Sequence, residues 1–130
     1  MKISTNDKCT FCNIEIETIE HLLYECQSCQ LIWQRLFNLI TQQTGLNINL
    51  TKTNVILGVP LEGNFPVKQA INTCLVIAKQ YIYACRCLEK IPSYNELMER
   101  IKTYKLIEYK IALKNDKIVK HNRKWNSLKL

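Results

Sequence analysis

The stretch that decides the fold is CTFCNIEIETIEHLLYECQSCQLIW, residues 9–33. It contains a Cys9-x2-Cys12 pair, and His21, Cys26 and Cys29 follow within the next 17 residues. Three thiols and one imidazole fill a tetrahedral zinc site and leave no position for water, which is typical of a structural rather than a catalytic site. A segment this short buries little apolar surface, so the bound metal would supply folding free energy directly.

Two ligand sets fit this spacing. The first consists of Cys9, Cys12, His21 and Cys26. The second replaces His21 with Cys29 and gives C-x2-C-x13-C-x2-C, close to a four-cysteine zinc ribbon. The spacing alone leaves both sets open.

A helix through this segment constrains both sets. Thr18 can cap such a helix, and Glu20 in the first turn suits its dipole. His21 and Cys26 are five residues apart, which is about 140° around the axis of an α-helix. Both side chains can reach one ion only if the helix loosens or ends near Cys26, and Cys29 meets a comparable difficulty.

The order of these residues resembles the zinc-binding domain that follows the reverse transcriptase in non-LTR retrotransposon proteins. The family pattern reads C-x2-C, a short acidic stretch with Glu-Thr, His-x4-C and then a tryptophan, and Glu17-Thr18 and Trp33 stand at the corresponding places. The resemblance implies a CCHC ligand set and has no counterpart for Cys29. The implied ligands are Cys9, Cys12, His21 and Cys26. Less specific similarity extends through segments at 55–60, 77–87, 91–97, 108–115 and 123–128.

The resemblance also implies a function. In that family the full protein copies its RNA at a nicked target site, and this part would hold template RNA or target DNA during target-primed reverse transcription. The implied partners are nucleic acid and the polymerase part of the parent protein, with no catalysis by this part. The chain starts only eight residues ahead of Cys9, so we expect it to belong to a longer protein.

Composition favours one globular domain over residues 1–130, with no membrane or small-molecule partner. The chain is 47% hydrophobic, has only three glycines and three prolines, and contains no apolar run long enough to span a bilayer. Seven cysteines are an odd number, and no signal peptide precedes them. We therefore expect reduced thiols and an intracellular location, in the nucleus and cytoplasm.

A helix after the metal-binding segment is predicted by apolar residues at three- and four-residue steps, from about Cys29 to Thr44. Gly45 is a typical stop. Trp33 lies on this helix, and we expect it to pack in the core against the metal-binding segment. The apolar positions are Leu31, Ile32, Leu36, Phe37, Leu39 and Ile40.

Residues 46–64 contain Asn, Thr, Gly and Pro and show no helical periodicity. They predict a loop with one short extended piece, residues 54–57, which ends at Gly58.

A third helix is predicted to follow Pro66 and to be broken by Pro92. Its wide apolar face indicates a well-buried helix. That face consists of Val67, Ile71, Cys74, Leu75, Ala78, Ile82 and Cys85, widened by Ile77, Tyr81 and Leu88. Cys85 and Cys87 cannot place both thiols on one face, so we interpret Cys74, Cys85 and Cys87 as buried small apolar residues.

A fourth helix is predicted from Tyr94 to Asp116 or beyond, and Ser93-x-x-Glu96 has the pattern of a capping box at its start. Its predicted buried side consists of Leu97, Ile101, Tyr104, Ile107 or Glu108, and Ile111. The expected fold is therefore all-α, with a small N-terminal CCHC zinc knuckle (9–33) packed on a bundle of about three longer helices.

Positive charge is concentrated in the second half of the chain. The net charge is +7, yet residues 1–64 hold six acidic and only four basic side chains, so the excess lies in a basic helical tail, residues 64–130. The candidate nucleic-acid contacts are Lys102, Lys105, Lys110, Lys114, Lys117, Lys120, Arg123 and Lys124. Lys110, Lys114 and Lys117 are expected to share one helical face, which the last three would extend if the helix continues.

Aromatic residues are interleaved with these cations. Tyr104, Tyr109 and Trp125 offer base stacking beside phosphate contact. A solvated lysine face explains the same pattern without any ligand. The alternative function is then a zinc-stapled helical scaffold that docks on a protein and makes no direct contact with nucleic acid.

Few residues of this chain are candidates for a catalytic role. Aspartate occurs only at Asp7 and Asp116, so the paired carboxylates of a two-metal polymerase or nuclease are missing. There is no glycine-rich phosphate loop, and His121 is the one histidine outside the metal pattern. A zinc deaminase needs a His-x-Glu, which His21-Leu22-Leu23 does not provide. The sequence therefore predicts a non-catalytic domain.

Overall fold

The regular elements of the chain are helices. A computed structural model describes residues 7–63 and 65–130; residues 1–6 and Asn64, which the predicted domain includes, lie outside the described residues. Within these ranges there is no strand, only one isolated bridge between Lys8 and Ile16. A π-helical turn, His21–Glu25, is followed by α1 (Gln27–Thr44), α2 (Lys52–Leu57), α3 (Phe65–Cys87), α4 (Tyr94–Lys114) and α5 (Ile118–Trp125). The prediction of an all-α fold is confirmed.

Helix α3 is the centre of the fold. It contacts the π-helical turn, α1, α4 and α5. The predicted apolar face is buried along most of its length, as Ile71, Leu75 and Ile82 are each 0% exposed. Its C-terminal end differs from the prediction: the helix stops at Cys87, well before Pro92, so that Cys87 and Leu88 face solvent. Cys74 and Cys85 are buried as expected.

Helix α1 joins the metal-binding segment to this core. It ends where predicted, at Gly45, whose φ of 70° is in the left-handed region and whose amide donates to the Thr41 carbonyl. Trp33 is 0% exposed, and its indole Nε1 donates a hydrogen bond to the Leu23 carbonyl at 2.6 Å. The prediction that Trp33 packs in the core against the metal-binding segment is confirmed. Leu31, by contrast, is on the solvent side.

The extended piece predicted over residues 54–57 is wrong, because these residues belong to α2. The Thr51 side chain accepts a hydrogen bond from the Asn54 amide at 3.1 Å and so caps the start of the helix. At the other end, the Lys79 ammonium donates to the Ile56 carbonyl at 2.8 Å. Helix α2 stops at Gly58, as predicted for the end of the segment.

The capping box predicted at Ser93 and Glu96 does not form. Ser93 is the N-cap residue of α4, but its side chain makes no capping hydrogen bond. Its backbone amide donates to the Tyr81 hydroxyl at 2.8 Å, and that hydroxyl donates to the Glu96 carboxylate at 3.0 Å. Glu96 also pairs with Lys90 at 2.6 Å. The carboxylate is thus directed to α3 and the preceding turn rather than back to Ser93.

Helix α4 is shorter than predicted and buries a different face. It ends at Lys114, and Asp116, with φ of 55°, turns the chain so that α5 packs on both α3 and α4. Leu97 and Ile101 are 0% exposed, as expected. The predicted side is wrong beyond that point: Tyr104, Ile107 and Ile111 are 43%, 52% and 55% exposed, while Ala112 is buried.

Two further predictions were that the thiols are reduced and that no segment spans a membrane. All seven cysteines are free, with no disulfide among them. Among the described residues no helix combines the length and the apolar character that crossing a bilayer requires.

Candidate metal centre and nucleic-acid interface

Four side chains from the predicted CCHC set meet at one point. The thiol sulfurs of Cys9, Cys12 and Cys26 and the imidazole of His21 lie within 4.8 Å of one another. The sulfurs of Cys9 and Cys26 are 3.8 Å apart, and the Cys12 sulfur is 3.4 Å from His21 Nε2. Cys9, His21 and Cys26 are buried, and Cys12 is half-buried. These four residues could hold a metal ion.

A tight turn brings the first two thiols together. The Asn13 amide donates to the Cys9 carbonyl at 2.9 Å, and the Cys9 amide donates to the Glu15 carbonyl at 2.8 Å. Asn13 has φ of 57°, in the left-handed region that asparagine tolerates better than most residues. The turn folds the Cys-x2-Cys segment back on itself so that both sulfurs face the same side.

The other two ligands are aligned by the π-helical turn. Thr18 caps the short helical stretch that leads into it, since its side-chain oxygen accepts from the His21 amide at 3.0 Å. The Cys26 amide then donates to the His21 carbonyl at 2.8 Å, a bond that spans five residues instead of four. The wider turn removes the angular offset that an α-helix would impose between His21 and Cys26. The helix therefore both loosens and ends at Cys26. This is what the sequence analysis required if His21 and Cys26 are to reach one ion.

Cys29 lies outside the cluster. Its thiol, on the first turn of α1, donates to the Leu22 carbonyl at 3.1 Å and is 0% exposed. Burial raises the pKa of this thiol, so the residue is held as a neutral thiol in the core. The geometry thus groups His21, rather than Cys29, with the three other thiols.

The thiols of the Cys-x2-Cys pair differ in acidity. Hydrogen bonds from the backbone amides of Glu15 and Ile14, with a contribution from His21, lower the pKa of Cys12 to about 6, although partial burial opposes this. Burial raises the pKa of Cys9 to about 11. Because a metal binds thiolate, Cys12 is ready to coordinate at neutral pH, whereas Cys9 must first lose its proton.

Glu17 fastens the metal-binding loop to the central helix. One carboxylate oxygen accepts from the amide and hydroxyl of Thr10, at 3.0 and 2.8 Å. The other is 2.7 Å from Arg86 Nη2 on α3 and accepts from its Nε at 2.8 Å. Burial alone would raise the pKa of Glu17, but the hydrogen bonds from Arg86 and Thr10 outweigh it and lower that pKa. The sequence provided no signal for this pair, since 69 residues separate its members.

Three of the eight predicted basic contacts are engaged within the fold. Lys102 lies 3.9 Å from Glu99, Lys105 donates to the Leu128 carbonyl at 3.3 Å, and Lys124 pairs with Glu108 at 3.2 Å. The other five have no acidic partner in the part of the chain that the structure describes. These are Lys110, Lys114, Lys117, Lys120 and Arg123.

The prediction that Lys110, Lys114 and Lys117 share one helical face is wrong, because α4 ends at Lys114 and Lys117 lies in the turn before α5. The turn produces a different grouping. Lys117, Lys120 and Lys124 line a cleft of about 300 Å³ beside α5, together with Glu108, which pairs with Lys124. Cations from the turn and from α5 are thereby brought around a single concavity.

The aromatic residues also separate into two kinds. Trp125 is only 3% exposed, and its indole donates to Glu108 at 3.3 Å, with Lys105 and Lys124 at 5.7 and 5.3 Å from the ring centre. The interpretation of Trp125 as a stacking platform is therefore wrong. Tyr104 and Tyr109, 43% and 38% exposed, remain accessible.

His121 is a buried contact between α4 and α5, which its sequence neighbours did not indicate. It is 6% exposed, its Nδ1 lies 3.5 Å from Glu108, and its ring packs edge-on to Tyr109 at 5.6 Å. Glu108 thus faces His121, Lys124 and Trp125 and anchors α5 to α4.

No protein-family model, curated protein or solved structure matches this chain.

Proposed function

We propose that this chain is a zinc-stabilised, non-catalytic nucleic-acid-binding module, the C-terminal zinc-binding domain of a non-LTR retrotransposon reverse transcriptase. It holds template RNA or target DNA next to the polymerase part of an intracellular parent protein. One observation carries the proposal: every residue of the family pattern has a distinct role in the metal-binding segment. Four converge as ligands, Glu17 and Thr18 hold the loop and the helix start, and Trp33 packs beneath them.

Zinc is the metal that fits this cluster. Two zinc–sulfur bonds of about 2.3 Å at a tetrahedral angle place the sulfurs about 3.8 Å apart, and a sulfur and a nitrogen about 3.5 Å apart. The Cys9–Cys26 and Cys12–His21 separations are 3.8 and 3.4 Å. A bound zinc ion would supply folding free energy and, with four protein ligands, no site for a reacting water.

The five cations without an acidic partner support the contact with nucleic acid. Lys117 and Lys120 line the cleft beside α5, and Arg123 is exposed on the same short helix. Lysine and arginine side chains that are free of carboxylates can replace counterions at phosphates. Such contacts position a strand without reading its sequence.

The test is fluorescence anisotropy with labelled single-stranded RNA and duplex DNA over a series of salt concentrations. Affinity should fall steeply with salt, and a Lys120→Glu/Arg123→Glu variant should bind both ligands weakly. A Lys52→Glu/Lys68→Glu variant has the same net charge, and its changes lie on α2 and early α3. The proposal fails if the two variants bind equally or if the parent shows no salt-dependent binding.

One observation favours a second candidate, a scaffold that docks on a protein. The outer side of α4 exposes Tyr104, Ile107 and Ile111 at 43–55%, and apolar side chains on a lone helix face are typical of docking surfaces. Binding that survives high salt, to a polypeptide rather than to nucleic acid, would support this second function.

A further inference from the structure

A second cleft lies beside α5, next to the one lined by Lys117, Lys120 and Lys124, and His121 lines both. It has a volume of about 500 Å³ and is formed by the second half of α4, by α5 and by the residues that follow it. The side chains that give it its chemistry are Lys105, Leu106, Tyr109, Asn122, Asn126 and Lys129. No aspartate or glutamate is among the described residues that line it; the carboxylate of Glu108 lies behind Trp125 and His121 and pairs with Lys124.

Two side-chain amides form one wall of this cleft. Asn122 and Asn126 are four residues apart along α5, so their side chains lie side by side on one face of the helix. Both are exposed, and neither amide bonds to another group within the described residues. Each amide presents two N–H donors and a carbonyl acceptor, which is the pattern that complements the edge of a nucleobase. An asparagine amide pairs best with adenine, through N6 and N7.

The opposite wall and the floor are rigid. Tyr109 is 38% exposed, and its ring is held edge-on against the buried His121 at 5.6 Å. The floor is Trp125, which is fixed by its hydrogen bond to Glu108. A base that enters beside Tyr109 therefore meets a preformed surface, and little conformational entropy is lost on binding.

The charges at the rim indicate what the base is attached to. Lys105 and Lys129 line this cleft, Lys120 lines the other one, and Arg123 is exposed on α5. A strand that crosses α5 can therefore place phosphates at both clefts. The edges of bases are accessible to such a wall when the strand is single and a base is turned out of its stack.

We propose that the cleft lined by Asn122, Asn126 and Tyr109 binds one unstacked base of a single strand, with adenine preferred. This inference rests on the proposed function and deepens it, because it names the form of nucleic acid and the base contact. Phosphate binding at Lys120 and Arg123 supplies affinity, and the amide-lined cleft supplies the preference.

The first experiment uses the zinc-loaded chain and mononucleotides. AMP, UMP and ribose 5-phosphate are titrated against ¹⁵N-labelled protein by NMR. We expect AMP to shift the side-chain amide signals of Asn122 and Asn126 and the indole signal of Trp125, and to bind more tightly than the other two ligands. Equal effects of AMP and ribose 5-phosphate would overturn the base contact.

The second experiment uses an Asn122→Ala/Asn126→Ala variant and single-stranded oligonucleotides. Affinity for oligo(A) should fall about tenfold, as expected for the loss of a base contact, and affinity for an abasic strand should stay unchanged. The matched control is Asn38→Ala/Asn95→Ala, which removes two exposed asparagines from α1 and α4.

The outcomes separate this inference from the proposed function. Salt-dependent binding of RNA that is the same in the parent and the Asn122→Ala/Asn126→Ala variant overturns the base contact and leaves nucleic-acid binding in place. AMP binding at the cleft, without binding of any oligonucleotide, supports the base contact and overturns the proposed function. Absence of both kinds of binding overturns both.

Discussion

The backbone amide of Cys26 donates a hydrogen bond to the carbonyl of His21 across five residues, at 2.8 Å. This single π-type bond explains how two ligands that would point apart on an α-helix can face one ion. Regular structure flanks this irregular turn on both sides. The Thr18 side chain accepts a hydrogen bond from the His21 amide before it, and α1 begins immediately after Cys26. The path of the backbone therefore directs both side chains toward one point.

The first prediction concerns the identity of the ligands. Protein purified without added metal should contain about one zinc ion per chain, as a closed four-ligand site implies. His21→Ala should remove that zinc, while Cys29→Ala should retain it, because the Cys29 thiol is bonded to the Leu22 carbonyl. Elemental analysis of both variants is the measurement. The reverse result, with zinc lost only from Cys29→Ala, would establish the four-cysteine set.

The second prediction concerns removal of the metal. A Cys12→Ser change, which removes one ligand and the sulfur that the amides of Glu15 and Ile14 bond to, should disorder residues 9–27 and raise the exposure of Trp33, because the Trp33 indole is bonded to Leu23 of that segment. Helices α3 and α4 should remain folded, since their contacts with each other and with α5 do not involve the ligands. Tryptophan fluorescence and circular dichroism report the two parts separately. Loss of all helical signal would show that the metal nucleates the whole fold.

The third prediction is the pH dependence of zinc binding. Above its pKa of about 6 Cys12 is already a thiolate in the metal-free chain, whereas Cys9, with a pKa of about 11, is protonated and must release its proton on binding. Below pH of about 6 zinc must displace a further proton, from Cys12. The logarithm of the affinity should therefore fall more steeply with decreasing pH below 6 than above it. Competition titrations with a chromophoric chelator measure this slope, and a constant slope would contradict the low pKa of Cys12.

The metal-binding segment was largely predictable from its sequence because its information is local. The ligand spacing, the cap at Thr18 and the packing of Trp33 all lie within 25 residues. The sequence also indicated that His21 and Cys26 would point apart on a regular α-helix. It did not predict the π-helical turn that brings the two side chains together. The Glu17–Arg86 pair was not predictable, because it depends on how α3 packs against the loop.

The predictions for α4 were wrong for the same reason, because its buried side and its end depend on tertiary contacts. Periodicity placed Tyr104 and Ile111 on the buried side of α4, yet the helix is covered only where α3 and α5 lie against it, and Ala112 occupies that side instead. No proline or glycine separates Lys114 from Lys120, so the sequence carries no local signal for the end of α4. Asp116 nevertheless adopts a positive φ, and the packing of α5 through His121 and Trp125 compensates that cost.

The fourth prediction tests the link between loop and helix. Arg86→Met removes the partner of Glu17 from a site in which both side chains are less than one-fifth exposed. We expect a loss of about 1–3 kcal/mol in the free energy of unfolding, as for a partly buried charge left unpaired. Zinc should still bind, and hydrogen exchange should increase in residues 9–20.

The matched control for this change is Lys52→Met. Lys52 pairs with Glu20 and Glu25 at 3.1 and 3.4 Å, but all three side chains are 44% exposed or more. Because solvent screens such pairs, Lys52→Met should change the free energy of unfolding much less than Arg86→Met does. Equal losses in the two variants would mean that the Glu17–Arg86 pair does not hold the loop.

The last prediction separates the aromatic residues at the basic end of the chain. Trp125 is buried and fixed to Glu108, so Trp125→Ala should lower the free energy of unfolding by about 3–5 kcal/mol, as large core truncations do. Tyr109→Ala removes a ring that is 38% exposed at the cleft, and it should lower the free energy of unfolding by a smaller amount, about 1–3 kcal/mol, because the rest of the ring is covered and packs against His121. If Tyr109 stacks on a base, the same change should weaken the binding of single-stranded RNA about 5- to 100-fold and the binding of duplex DNA much less.

Denaturant unfolding measures the stability of both variants, and fluorescence anisotropy measures their binding. The control is Tyr83→Ala, which removes an exposed tyrosine of α3. A Tyr109→Ala protein that binds single strands as tightly as the parent would remove stacking from the interface and leave only the contacts with phosphates.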